Sequence, residues 1–144
     1  MLGSMEEHPN AALARRVWGA LSRGDAESLR ELLAPDVTWH AASLGTPWSG
    51  THRGYEAVVD FLADIGERTD VADSQWGDVL VSDRHVLVIY HVSLRIGTRR
   101  AELDYAWLAR VEDERFAEVW TIPLDPAAIE AFWAEGFPDA GRRA

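Results

Sequence analysis

The chain contains no cysteine, so a disulfide framework is excluded, and the composition fits a protein of the cytoplasm. Basic residues are scarce. Fourteen face 24 acidic ones, a formal charge of −10, which opposes binding to nucleic acid or to an anionic membrane. No apolar run approaches the roughly 20 residues of a membrane-spanning helix. The N-terminus also lacks the basic start and apolar middle of a secretion signal. No glycine-rich loop follows a strand pattern, so no nucleotide cofactor is expected. The five histidines are too dispersed for a metal-ligand spacing, and no metal is expected either. There is no repeat, linker or low-complexity tract. What remains is a chain of 144 residues, long enough for one domain with a true core. Met1-Leu2-Gly3-Ser4 ahead of a second methionine reads as a cloning scar, placing the single domain at residues 5–144.

Periodicity then supplies the elements. Residues 10–23 predict a helix, with Leu13, Val17 and Leu21 at helical spacing, Trp18 beside them, and Gly24 as a left-handed cap. Asp25 caps a second helix over 26–33, buried through Leu29, Leu32 and Leu33, and Pro35 stops it. Residues 37–41 form a short strand, followed by a Gly/Pro/Ser-rich loop through Thr51. A third helix runs from about Tyr55 to Ile65, with Val58, Phe61, Leu62 and Ile65 on one face. Residues 71–81 read as a strand interrupted around Gly77, and Ser82-Asp83 turns the chain into a β-meander. That meander occupies 86–122, in strands 85–95, 100–111 and 116–122. Asp125-Pro126 caps a last short helix that buries Ile129, Phe132 and Trp133.

The meander carries two unlike faces. One gathers Tyr90, Leu103, Tyr105 and Trp107; the other gathers His91, Asp104, Ala106 and Leu108. Gly97-Thr98 makes the first turn; a two-residue turn there sets His91 directly opposite Asp104 and a four-residue turn leaves them diagonal on the same face, in either case a pair able to build a base or a structural polar contact. The acidic stretch Glu112, Asp113, Glu114 makes the next turn. With two loop residues, Trp107 opposes Trp120 and Glu118 opposes Ala109 on the aromatic face. Burial would there raise the Glu118 pKa and suit it to general acid or base work. With three, Glu118 faces the other way.

Two helices joined at Gly24-Asp25, Ala34-Pro-Asp-Val-Thr-Trp-His40, Ser49-Gly-Thr-His-Arg-Gly54, a helix and a long meander resemble the SnoaL-like, ketosteroid-isomerase-related branch of the nuclear transport factor 2-like superfamily. The resemblance implies an α+β fold: a cone-shaped barrel of strongly bent, mostly antiparallel sheet wrapped around N-terminal helices, with an internal cavity. Under at least one register Leu87, Ile89, Ala106, Leu108 and Val119 lie away from the aromatic face as an apolar patch, and since the resemblance implies pairing through this outer sheet face, a homodimer is expected. Known members include polyketide cyclases, steroid isomerases, dehydratases, epoxide hydrolases and proteins without chemistry. The steroid-isomerase groups fall here on Val17, Ala41 and a position near Trp107, so that chemistry is not expected. The cyclase His and Asp fall near Trp107 and Trp120-Thr121. His40, next to Trp39, matches a Trp-His pairing common in the family and is a candidate at the cavity rim.

Seven tryptophans in one small domain favour a flat-walled cavity over a solid core, because each indole is large and needs a partner for its N–H. Trp18, Trp39, Tyr55, Tyr90, Tyr105, Trp107 and Trp120 are the expected lining, between the aromatic face and the first and third helices. The sequence therefore predicts a cofactor-independent cyclase, isomerase or dehydratase acting on a hydrophobic polyketide- or terpenoid-like molecule. Glu118, the His91–Asp104 pair and His40 are the acid–base candidates. The alternatives are a binding protein for such a molecule and a structural homodimer with a vestigial pocket.

Overall fold

A computed structural model describes residues 7–41, 48–68 and 70–136. The proposed cloning scar, most of the Gly/Pro/Ser-rich loop and the side chain of Trp133 lie outside the described residues. In chain order the elements are α1 (Pro9–Arg23), α2 (Ala26–Leu32), β1 (Leu33–Ala41), β2 (Gly50–Arg53), α3 (Tyr55–Arg68), β3 (Asp70–Val81), β4 (His85–Ile96), β5 (Arg99–Glu112), β6 (Arg115–Pro123) and α4 (Pro126–Gly136).

The caps follow the local chemistry. Gly24 adopts φ 64°, ψ 34°, and its N–H satisfies the carbonyls of Ala20 and Leu21. The Asp25 carboxylate accepts from the Ser28 backbone N–H at 3.0 Å and from its hydroxyl at 2.6 Å. Asp125 caps α4 through the Ala128 N–H at 3.2 Å, ahead of Pro126 at the first helical position. Leu33 departs from expectation: it begins β1 instead of ending α2, which Pro35 two residues on makes reasonable.

The six strands form one curled, unclosed mixed sheet in the order β2-β1-β6-β5-β4-β3. All neighbouring pairs are antiparallel except β1 with β6. The expected loop through Thr51 gives way to β2 from Gly50, since Gly-Thr-His-Arg has weak strand character of its own and becomes a strand by pairing with β1, Thr51 opposite His40. Helix α1 packs on the inner face through Leu13, Ala14, Val17 and Ala20, none more than 2% exposed. Its start is tied to the β3–β4 turn by the buried Asn10 amide, which donates to the carbonyls of Ser82 at 2.8 Å and Asp83 at 3.1 Å.

The two meander turns are both two residues long, Ile96 pairing with Arg99 and Glu112 with Arg115. β4 and β5 stay in unbroken register, so Tyr90 opposes Tyr105 and His91 opposes Asp104. β6 does not. Val111 pairs with Phe116, but Arg110 pairs with Glu118, leaving Ala117 as an extra residue. This β-bulge reverses the side-chain alternation beyond it. Trp107 therefore opposes Thr121 and Ala109 opposes Val119. The expected pairings with Trp120 and Glu118 are each one residue out.

A second bulge sits in β3, where Gly77 and Asp78 face Ile89 alone. A Cβ added to Gly77 would meet the Ile89 carbonyl oxygen at 2.4 Å. Gly77→Ala should destabilise the fold by about 1–3 kcal/mol, as over-packing does. Gly66, on α3 with open space around its Cα, gives the control: Gly66→Ala should stabilise by about 0.5–1 kcal/mol. Urea midpoints check both, and equal midpoints for the two variants would refute the close approach.

Candidate functional site

Between α1, α3 and the inner face of the sheet lies a cavity of about 1120 Å³. Its inner end is aromatic. Trp18 comes from α1, Trp39 from β1, Tyr90 from β4, and Tyr105 and Trp107 from β5. The rings meet mostly edge to face or tilted: Trp18 lies 5.1 Å from Tyr90 and 5.4 Å from Trp107, and Trp39 lies 6.0 Å from Trp107. Tyr90 and Tyr105 stack at 5.7 Å. Exposed residues mark the mouth, including Arg23 and Gly24 at the end of α1, Glu67 on α3, Asp73 on β3 and Arg95 on β4. A shallower groove of about 650 Å³ runs along α3 beside Asp60, Asp64 and Glu67. It is the more open and polar of the two, so the aromatic cavity is the candidate site.

Polar atoms in the cavity wall are few and mostly paired. The Trp39 indole N–H donates to the Thr121 hydroxyl at 2.8 Å. Trp48, also in the wall, donates its N–H to the Asp64 carboxylate at 2.7 Å. His52 stacks on Phe61 with centroids 4.0 Å apart, and its Nε2 lies 2.7 Å from the Trp48 carbonyl. That carbonyl can only accept, so Nε2 carries the proton. Burial drives the Tyr90 phenol well above its ordinary pKa, with the Tyr105 side chain adding to the rise and a hydrogen bond from Trp107 opposing it. The chain has no lysine; every cation is an arginine or a histidine, so a Schiff-base mechanism has no amine side chain to run on.

A family model for the SnoaL-like domain matches residues 14–119. The chain belongs to the SnoaL-like family. An uncharacterised protein of Mycobacterium tuberculosis is 30% identical over 132 residues, spanning 90% of this chain and 100% of its own. Among solved structures, Bal32a from a soil-derived mobile gene cassette is 25% identical with a TM-score of 0.80, covering 87% of this chain and 96% of that one. A nuclear transport factor 2-like protein of Burkholderia xenovorans shares the fold at 22% identity and a TM-score of 0.77, over 89% of this chain and 98% of its own.

The SnoaL-like domain turns the acid–base candidates away from its cavity. Glu118 lies on the outer sheet face, where the His40 Nε2 approaches its carboxylate at 2.6 Å and Arg110 at 3.5 Å. The expected raised pKa is reversed: the His40 hydrogen bond and the charges of His40 and Arg110 hold Glu118 below the ordinary carboxylate value, outweighing a modest burial effect. The physical reason is the bulge at Ala117. Trp120 is displaced with it and stacks on His40 outside, centroids 5.3 Å apart. His40 bonds Thr51 through Nδ1 at 2.9 Å and sits on this outer face, not at the cavity rim. Tyr55 also leaves the lining: its hydroxyl donates to the Ala26 carbonyl at 2.7 Å, and Arg30 covers its ring. Val119, expected outside, is fully buried. Thr121 and Trp48 take the vacated places in the wall. Parity counted through the bulge would have found Thr121, whereas Trp48 gives no periodic signal.

His91 and Asp104 share that outer face at 2.9 Å, and the other imidazole nitrogen lies 2.9 Å from Glu102. Glu102 is itself held by the Ser93 hydroxyl at 2.6 Å. Hydrogen bonds to Glu102 and then to Asp104 raise the His91 pKa above its usual 6.5. A raised histidine pKa stabilises the fold fully below the unfolded-state value and loses that contribution as pH rises through the folded-state value. An NMR titration should accordingly place the His91 midpoint above 6.5, with Glu102→Gln moving it down more than Asp104→Asn. A His91 midpoint below the ordinary value would rule out the bidentate arrangement.

Proposed function

We propose that this SnoaL-like chain takes a flat, largely apolar small molecule, polyketide- or terpenoid-like in shape, into the cavity between α1, α3 and the sheet. The observation that carries the reading is the wall itself. Trp18, Trp39, Tyr90 and Trp107 come from four different elements and meet around one space. Rings set edge to face leave flat slots between them, and such slots suit planar apolar ligands. At about 1120 Å³ the space lies just above the usual range of small-molecule pockets, roughly 300–1,000 Å³.

Within that reading, a cofactor-independent isomerase or cyclase would work by shape and by hydrogen-bond donation from cavity hydroxyls. His40, Glu118, His91 and Asp104 lie on the opposite face of the sheet, which favours a binding role over carboxylate acid–base chemistry in the cavity. The cysteine-free composition supports a cytoplasmic setting. Among the described residues, no helix is long and apolar enough to cross a membrane.

The ligand reading is testable with 1-anilinonaphthalene-8-sulfonate, whose emission rises in apolar sites. Trp107→Phe should weaken its binding about two- to tenfold, since a well-packed aromatic contact contributes about 0.5–1.5 kcal/mol. Trp120→Phe, on the outer face, should leave it unchanged. Equal effects from the two variants, or no dye binding by the parent, would defeat the proposal.

The outer face supports a second element, pairing with another copy of the chain. Leu87, Leu108 and Trp120 are successive cross-strand neighbours, and Ile89, Ala106 and Ile122 form the adjacent row. Five of these six side chains remain partly exposed, giving a contiguous apolar patch that water disfavours. Sedimentation at micromolar concentration should show a dimer, and Leu108→Arg should convert it to a monomer. A monomeric parent protein would remove this element alone.

A further inference from the structure

We infer that the cavity recognises its ligand through an oxygen acceptor, a ketone- or quinone-type carbonyl held by the hydroxyl protons of Tyr90 and Thr121. This deepens the proposed small-molecule reading and rests on it.

An indole N–H can only donate, whereas a hydroxyl offers one proton and two acceptor lone pairs. Trp39 donates to the Thr121 oxygen at 2.8 Å, so that contact uses a threonine lone pair and leaves its proton uncommitted. The Tyr90 ring packs against those of Trp107 and Trp18, with centroids 5.5 Å and 5.1 Å away. Among the described residues, neither hydroxyl donates to a protein acceptor. Both side chains line the cavity. Each proton is therefore available to whatever occupies it.

Two consequences follow for recognition. A hydroxyl that already accepts a hydrogen bond is a stronger donor, because linked hydrogen bonds polarise one another. Burial also keeps the Tyr90 phenol protonated across the working pH range, so it serves as a donor and never as a competing anion. The aromatic end of the wall then offers these two donors, while the carboxylates of Glu67 and Asp73 stand at the mouth. A hydrocarbon bound there leaves both protons unpaired; a carbonyl oxygen has two lone pairs with which to meet them. Sites of this kind discriminate chiefly by refusing ligands that leave buried polar groups unsatisfied.

Thr121 was not visible as a wall residue in the sequence. It reaches the cavity only because the β6 bulge sets it opposite Trp107, on the same face as Trp39 and Tyr90.

The test compares two planar probes of equal heavy-atom count, 2-acetylnaphthalene and 2-isopropenylnaphthalene, by equilibrium dialysis against the full chain. The ketone should bind about five- to tenfold more tightly than the alkene, as expected for one to two net hydrogen bonds. Tyr90→Phe and Thr121→Val should each shrink that ratio, and together bring it close to one, by weakening the ketone and not the alkene, whose retained or tighter binding reports an intact cavity. Thr121→Ser should restore the preference. If Thr121→Val fails to fold, Tyr90→Phe with retained alkene binding decides alone. Equal binding of both probes by the parent chain, or a ketone preference that survives Tyr90→Phe undiminished, overturns the inference and leaves the small-molecule reading standing. Binding of neither probe overturns both.

Discussion

The extra residue in β6 governs what the cavity can do. With Ala117 bulged out of the β5–β6 ladder, Glu118 faces outward against His40 and Arg110, and Val119 and Thr121 face inward. In the unbulged register Glu118 would enter the core beside Ala109, and Val119 would turn to solvent. A carboxylate taken from water without a partner costs several kcal/mol, far more than a bulge. Outward, the same carboxylate gains an imidazole at 2.6 Å. Inward, Val119 is completely enclosed, and burying such a side chain contributes about 1.5–3 kcal/mol. Both differences push the same way, so the bulge is the register the side chains select.

Everything distinctive about the cavity then depends on that choice. The parallel β1–β6 pairing sets Trp39 beside Val119, and it shifts register in the same stretch. Trp39 thereby finds the Thr121 hydroxyl for its indole N–H, which lets a tryptophan only 2% exposed sit in the core without an unsatisfied donor. The aromatic cluster is stabilised by area and by edge-on ring contacts, and its most deeply buried indole, that of Trp39, is paired with a hydroxyl. The cavity's charged groups lie mostly at the mouth and on the far side of the sheet.

The outer face is a different environment. His40 and His91 each bridge two oxygen-bearing partners, with apolar residues of three strands between them. The carboxylates keep these imidazoles oriented, and Trp120 covers the His40 ring. Charged edges thus surround an apolar centre on this face.

Much of this protein was legible in its sequence because the deciding interactions were local. Gly24, Asp25 and Asp125-Pro126 mark helix ends through contacts within a few residues, and they sit where their chemistry requires. The apolar run of β4 and the alternation of residues 100–111 marked the two strands, so Tyr90 with Tyr105 and His91 with Asp104 could be paired once the Gly97-Thr98 turn was counted as two residues. The family pattern spread along the chain carried the fold. What only the tertiary structure decided was non-local. The β2 strand exists through its pairing with β1. Tyr55 is drawn off to the Ala26 carbonyl. Above all, a one-residue bulge moved Glu118 and Trp120 to the outside and Thr121 to the inside. A bulge leaves no mark in periodicity: it is set by competing burial energies across three strands, which no window along one strand contains.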